Sequence, residues 1–378
     1  MSQQQDNITI VVNDYDYGDR VYLTLTLNCG FCCRYLYIED QDEMVENNQA
    51  FANIFSRYIA EQYQIKYNQV LLAEVNRSDI SFFLESEKDQ FAEDIEKLYS
   101  LLFSEEVDEE LFMQTKATSI TVFREKYRDA RIRALYKMLE FSDSIKCFNY
   151  VKFADDMLSI DSEDFQMCID YMVRPQNCIL IVAGRSEHIS PFPILFFKHR
   201  ELTQPHAMLA YRSVDPMTES DAHFVRLDRI NDAMGCVKFF FTNPETQITE
   251  RFLLIQMLAA MFFWDNYFVG IDSADASIIY WNRPLESCRD KLLDCINDDA
   301  VAQCRNRLLA TLKNDRLNQV QRFYVTLGSM TVHGISVDEY IQTLVSCDGN
   351  YLRDLFYRSG TVVTEAQLIQ TKMEDSAG

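Results

Sequence analysis

Glycine and proline are scarce, at 10 and 7 of 378 residues, which excludes a collagenous, solenoid-β or linker-dominated chain. Basic residues are outnumbered, 36 Lys and Arg against 58 Asp and Glu, leaving a formal charge of -22. Binding to phosphates draws on clustered Lys and Arg; no such run occurs, so nucleic acid is excluded as a partner. No stretch reaches the roughly 18 uninterrupted apolar residues that a membrane span needs. Met1-Ser2-Gln3-Gln4-Gln5-Asp6 has neither a basic nor an apolar leader segment, so a cytoplasmic protein is expected. Histidine is rare: His188, His199, His206, His223 and His333 are the whole complement.

What is present is apolar and aromatic. Hydrophobic residues make up 48% of the chain and include 26 Phe and 20 Tyr, enough for two domains of ordinary size, each with its own core. The acidic surplus reads first as plain solubility and self-repulsion, with attraction of basic peptides as the alternative. Eleven cysteines, an odd number scattered among apolar elements, predict reduced and buried thiols. Cys29-Gly30-Phe31-Cys32-Cys33 contains a C-x-x-C with no second cysteine pair or histidine nearby. Its flanks alternate like strands, which predicts a half-buried hairpin in place of a metal or redox site. Cys288, Cys295 and Cys304 fall on a helical pattern as small packing residues.

Periodicity predicts strands at Ile8 to Val12, Val21 to Leu27 and Arg34 to Ile38, beginning an antiparallel sheet, then a helix over residues 48 to 63. Strand character returns at Val70 to Val75 and Ile80 to Leu84. Helical spacing follows from Glu87, then from Asp108 with a break before Leu139, and again from Ser162. Arg174-Pro175 stops that helix, and Asn177 to Gly184 reads as a fully apolar strand. Pro191, Pro193, Pro205 and Pro216 punctuate an aperiodic stretch that marks a boundary. The second half repeats the plan: strands at Val225 to Leu227, Gly235 to Thr242 and Ser277 to Trp281, and helices at Glu245 to Phe263, Glu286 to Ile296, Ala300 to Val325 and from Ser336. The predicted class is α+β: two tandem related domains, each an antiparallel-rich mixed sheet covered by helices on one side. They span residues 1–190 and 222–378, joined by a linker over 191–221.

Two segments carry a family resemblance. The helix opened by Ser162-Glu163-Asp164-Phe165, the turn at Pro175-Gln176-Asn177 and the strand ending Val182-Ala183-Gly184 resemble the end of a pitrilysin/insulinase-family peptidase domain, of the mitochondrial-processing-peptidase type. Ala73 to Phe83 resembles that family's paired strands, and the order of elements matches over residues 20 to 185 and again over 222 to 372.

The resemblance implies a zinc site built on H-x-x-E-H, in which two histidines four apart hold the metal and the glutamate acts as general base. No such motif occurs, and the first 187 residues contain no histidine. Whether the zinc helix corresponds to the stretch around Phe51, Ala52, Phe55 and Ser56 or to that around Cys33 and Tyr37, no imidazole is available. Glu125 falls where the family's third ligand would lie and is vestigial; it reads equally as a solvated helical glutamate. His188 and His199 lie near the domain link beside Glu187, but Pro191 and Pro193 break any helix there. The family's substrate-gripping Arg and Tyr would follow the helix ending near Trp264, where Asp265 to Ala276 is too short for the usual insertion; Tyr280 is the nearest substrate-binding candidate.

No catalytic residue, metal ligand or cofactor is therefore assigned to this chain. The resemblance implies an inactive homologue that forms half of a clamshell chamber around a peptide substrate, with zinc in a catalytically active homologous subunit. Small histidine-poor members of this kind are found in maturation systems for modified peptides and bacteriocins. The alternative is a homodimeric peptide-binding or assembly scaffold without proteolytic activity.

Overall fold

The computed structural model describes residues 8–32, 34–38, 42–103, 106–142, 148–189, 207–209, 223–227, 234–263, 267–271, 275–281 and 291–370. Contacts divide the chain into two compact units: Met1–Phe123, Lys146–Tyr211 and Asp315–Val332 in the first, and Arg124–Ile145, Arg212–Asn314 and His333–Gly378 in the second.

In the first unit β1 (Thr9–Asp14), β2 (Arg20–Leu27), β5 (Leu72–Val75), β6 (Ile80–Glu87) and β7 (Cys178–Gly184) form a sheet in the order β1-β7-β2-β6-β5. The β1–β7 pair is parallel and the others are antiparallel. Side chains alternate across a strand, and β2 is buried on both faces. Leu25, opposite Phe82 of β6, lies on the face met by Phe55 of α1 (Phe51–Tyr67). Thr24 and Thr26 look the other way, toward α10 (Val320–Val332), a helix supplied from the second half of the sequence. Gly328 allows that approach: a Cβ there would overlap Thr26 Oγ1, so the helix accepts glycine in its interior.

The three N-terminal strands do not form one sheet. β1 pairs with β7, whereas β3 (Tyr35–Ile38) joins β4 (Glu43–Glu46) and β8 (Ala207–Leu209) in a separate three-stranded sheet. The hairpin expected around Cys29 and Cys32 is therefore absent. The chain leaving β2 bonds to the β5–β6 turn instead, with Phe31 N donating to Asn76 O (3.3 Å) and Cys32 N to Arg77 O (3.0 Å). Gly30 permits the contact, since a Cβ would strike the Arg77–Ser78 backbone. Cys29 and Cys32 are buried thiols in no disulfide, the former donating to Met172 Sδ at 3.5 Å; Cys33 is outside the described residues.

The first unit also carries α2 (Phe91–Phe103), most of α3 (Glu109–Tyr127), α5 (Tyr150–Ser159), α6 (Ser162–Met172) and the single turn α7 (Ser186–Ile189). The break predicted before Leu139 falls at Arg128–Asp129, after which α4 (Ala130–Ser142) begins. Sequence periodicity passes over α5, which is short. Its Asn149 cap, accepting from Lys152 N at 2.8 Å, is the local signal that identifies it.

The second unit repeats the sheet. β9 (His223–Leu227), β10 (Met234–Phe241), β11 (Tyr267–Ile271), β12 (Asp275–Trp281) and β13 (Thr361–Gln370) run in the order β11-β12-β10-β13-β9. Each strand matches one of the first sheet, down to a single parallel pair, β9 with β13. α8 (Ile248–Phe263) packs on β11 and β12, while α4, from the first half of the sequence, packs on β10, β12 and β13. α11 (Val337–Ser346) and α12 (Gly349–Arg358) mirror α5 and α6. Their caps stand at Ser336 and Asp348 against Asn149 and Asp161, twelve residues apart in each pair. The helix expected over Ala300 to Val325 is split at Gln319 into α9 (Asp298–Asn318) and α10. Of Glu286 to Ile296, residues 286–290 lie outside the described set and 291–295 form turns. Cys295 accordingly lies in a turn, Cys304 is buried on α9, and Cys288 is not described. Of the 191–221 linker only β8 is described. Among the described residues no helix is long and apolar enough to cross a membrane.

Candidate functional site

α1 carries Phe51, Ala52, Phe55 and Ser56, one of the two stretches on which the resemblance would put zinc. Phe51, Ile54, Phe55, Tyr58 and Ile59 follow helical spacing and are buried. The chain entering it is pinned by polar groups: Ala50 N donates to Asn48 Oδ1 (3.0 Å) and Gln49 N to Asp156 Oδ2 of α5 (2.8 Å). Asp156 is itself buried and ion-paired with Lys152 at 2.7 Å. Ala52 and Phe55 are each 1% exposed and Ser56 is 6% exposed, its hydroxyl donating to Asn53 O. Phe51 and Phe55 of α1 pack with Phe112 and Phe165, ring centroids 4.7 to 6.2 Å apart. Aromatic packing occupies this region, and these side chains offer no imidazole or carboxylate for zinc.

Glu125 is solvent-exposed near the end of α3, its carbonyl accepting from Arg128 N. The buried polar residues of α3 are Thr115, which donates to Glu61 Oε2 of α1 at 2.7 Å, and Ser119. His188 lies on α7, 3.5 Å from Glu187 and 4.0 Å from Asp19. His199 and His206 are outside the described residues, His223 is on β9, and His333 follows α10. Tyr37, the alternative position, donates to Asp42 Oδ1 at 2.8 Å. Among the described residues no group of three or more His, Cys, Asp or Glu could hold a metal ion.

A groove of about 700 Å³ lies in the first unit, between the start of α10 and the sheet face opposite α1. Tyr22, Leu72, Glu74, Phe83, Glu85 and Arg322 line it. Tyr22 stacks on Phe83 at 5.8 Å and on the buried Tyr324 at 6.5 Å, making an aromatic floor. Leu72 and Glu74 come from β5, which ends the sheet and, among the described residues, pairs only with β6. Although Glu74 as a whole is exposed, the protein around its carboxyl strips part of its hydration, and Asp79 is also negative. Both effects raise its pKa above the usual carboxylate value, against the opposing pull of Arg322. Sequence reading found β5 but not the groove, because its walls lie some 240 residues apart, at 72–85 and 318–326.

No family model matches the sequence, and no curated protein is significantly similar to it. Solved structures are similar along its whole length. An M16-like peptidase from Alicyclobacillus acidocaldarius superposes with a TM-score of 0.71 at 11% identity, covering 97% of each chain. A protease from Helicobacter pylori gives 0.67 at 11% identity over 96% of this chain and 97% of that one. An inactive M16 peptidase domain from Pseudomonas fluorescens gives 0.62 at 7% identity over 97% and 96%. The chain has the M16 peptidase fold. M16 is the pitrilysin/insulinase group, so the architecture implied by the sequence resemblance is present.

Within the M16 fold, the interval after Trp264, too short for the usual insertion, holds the strand β11. β11 pairs with β12 from Tyr267↔Tyr280 to Ile271↔Ala276. Trp264 itself is outside the described residues. Tyr280 is on β12, 3% exposed, opposite Gly235 of β10, where a Cβ would strike its ring. The Tyr280 ring therefore packs over bare backbone.

Proposed function

We propose that this chain is the non-catalytic half of a heterodimeric M16 peptidase complex, acting in the cytoplasm, and that it binds peptide while a homologous subunit carries the zinc. The observation that carries the reading is an M16 fold in a chain with no histidine before His188, with Ala52, Phe55 and Ser56 of α1 buried. A zinc peptidase needs three protein ligands and a water, and one exposed Glu125 cannot substitute for them.

The peptide adds to the outer edge of β5, which no other described strand pairs with. An edge strand offers a row of outward N–H and C=O groups, and an extended peptide satisfies them while its side chains alternate between the two faces of the sheet. On one face they meet Leu72 and Glu74 over the groove; on the other they meet Ala73 and Val75. The partner closes over this edge to complete a chamber. Maturation of a modified peptide or bacteriocin is the setting that suits a short, histidine-poor member. Co-expression with a homologue bearing H-x-x-E-H tests the pairing. A stable 1:1 complex that cleaves peptide, with cleavage lost when the homologue's motif is mutated, is the expected result. Two species that elute separately and cleave no better together would refute it.

A further inference from the structure

We propose that the groove beside β5 selects a lysine or arginine side chain of the bound peptide, with Glu74 as the selecting residue and Leu72 receiving an apolar side chain two positions away. The inference rests on the edge-strand reading above and adds a substrate class to it.

Three charged side chains line the groove, and two already have partners. Glu85 pairs with Arg20 at 2.6 Å, and Arg322 lies 3.5 Å from Asp315. Glu74 makes no side-chain hydrogen bond or ion pair among the described residues. Asp79, fixed in place by Asn76 Nδ2 (3.0 Å) and Ser329 Oγ (2.8 Å), adds a second negative charge, which with partial desolvation outweighs the pull of Arg322 on Glu74. A partly desolvated carboxylate held near another one is a site of negative potential that an incoming cation relieves.

Strand geometry determines which peptide residue arrives there. Leu72 and Glu74 are two apart on β5 and point to the same face, as their partners Phe83 and Ser81 do on β6. A peptide strand paired to the outer edge therefore sets one side chain beside Glu74 and the residue two along beside Leu72, 40% exposed and bordering Tyr22 and Phe83. The recognised pattern is a basic residue and an apolar residue separated by one position whose side chain faces away. The stems of Lys and Arg are apolar, which suits the aromatic floor, while the cationic end reaches the carboxylate.

The test uses the full chain and three fluorescein-labelled peptides: Ser-Val-Lys-Val-Leu-Ser and the same sequence with Gln or Glu replacing Lys. Anisotropy titrations at physiological salt read the affinities. The lysine peptide is expected to bind at least about fivefold tighter than the glutamate peptide, the size of a partly exposed charge contact. Glu74→Gln should bring the two within twofold, and Glu74→Lys should reverse the order. An unchanged Lys-to-Glu preference in Glu74→Gln, with its circular dichroism and melting intact, overturns the assignment. Equal binding of all three peptides overturns charge selection but leaves edge binding standing, whereas binding of none overturns both.

Discussion

Gly328 of α10 lies directly on Thr26 of β2, so close that the smallest possible side chain would meet the threonine hydroxyl. That hydroxyl is already engaged with Ser81 Oγ at 2.9 Å, and a β-branched side chain has little freedom to turn away. The contact seats a helix from the second half of the sequence on the sheet of the first unit. Gly328→Ala gains about 1 kcal/mol of helix propensity and incurs an overpacking cost of about 1–3 kcal/mol. A net loss of stability is expected in urea unfolding. Thr26→Ala in the Gly328→Ala background should recover part of the loss, a coupling that two independent sites would lack.

Asp156 accepts the Gln49 amide at the entrance to α1. Asp156→Ala leaves a buried N–H without its partner and is expected to cost about 1–3 kcal/mol. Denaturant midpoints measure it, and loss of amide-exchange protection at Gln49 and through the first turn of α1 should accompany it. Glu125→Gln provides the contrast: an exposed helical glutamate should change stability by less than about 0.5 kcal/mol.

The second unit is pinned by Glu250 of α8 and Arg358 of α12, paired through both guanidinium nitrogens at 2.5 and 3.2 Å, with Tyr351 donating at 3.2 Å. Burial raises the Glu250 pKa, but Arg358 and Tyr351 outweigh it and hold the carboxyl below its ordinary value of 4.5. A depressed folded-state pKa adds stability that is present above 4.5 and lost as pH falls through the folded value. Glu250→Gln should therefore be less stable than the parent at pH 7, and the gap should close as the pH is lowered below 4.5.

The two halves show what a linear reading can and cannot reach. Fully apolar runs such as Cys178 to Gly184 declare buried strands, and Ser162-Glu163-Asp164 declares a helix start, because both signals are local. The absence of histidine before His188 is equally legible and bears directly on α1. Pairing is not local. β1 beside β7, β3 in a separate sheet, and the seating of α10 and α4 on the sheets of the opposite halves depend on contacts between distant segments that no periodicity encodes. The groove was hidden for the same reason: Glu74 reads as an ordinary polar residue on a short strand until residues 318–326 form its second wall.

The described residues group no ligands for a metal ion, and the proposal that cleavage is left to another chain is open to direct measurement. The direct test is to purify the full chain, dialyse it against micromolar zinc, measure bound metal by mass spectrometry and assay the same sample against a fluorogenic peptide library. The account predicts well under one zinc per chain and no cleavage above the buffer rate. One tightly held zinc per chain, with peptide cleavage that a chelator abolishes, would contradict it.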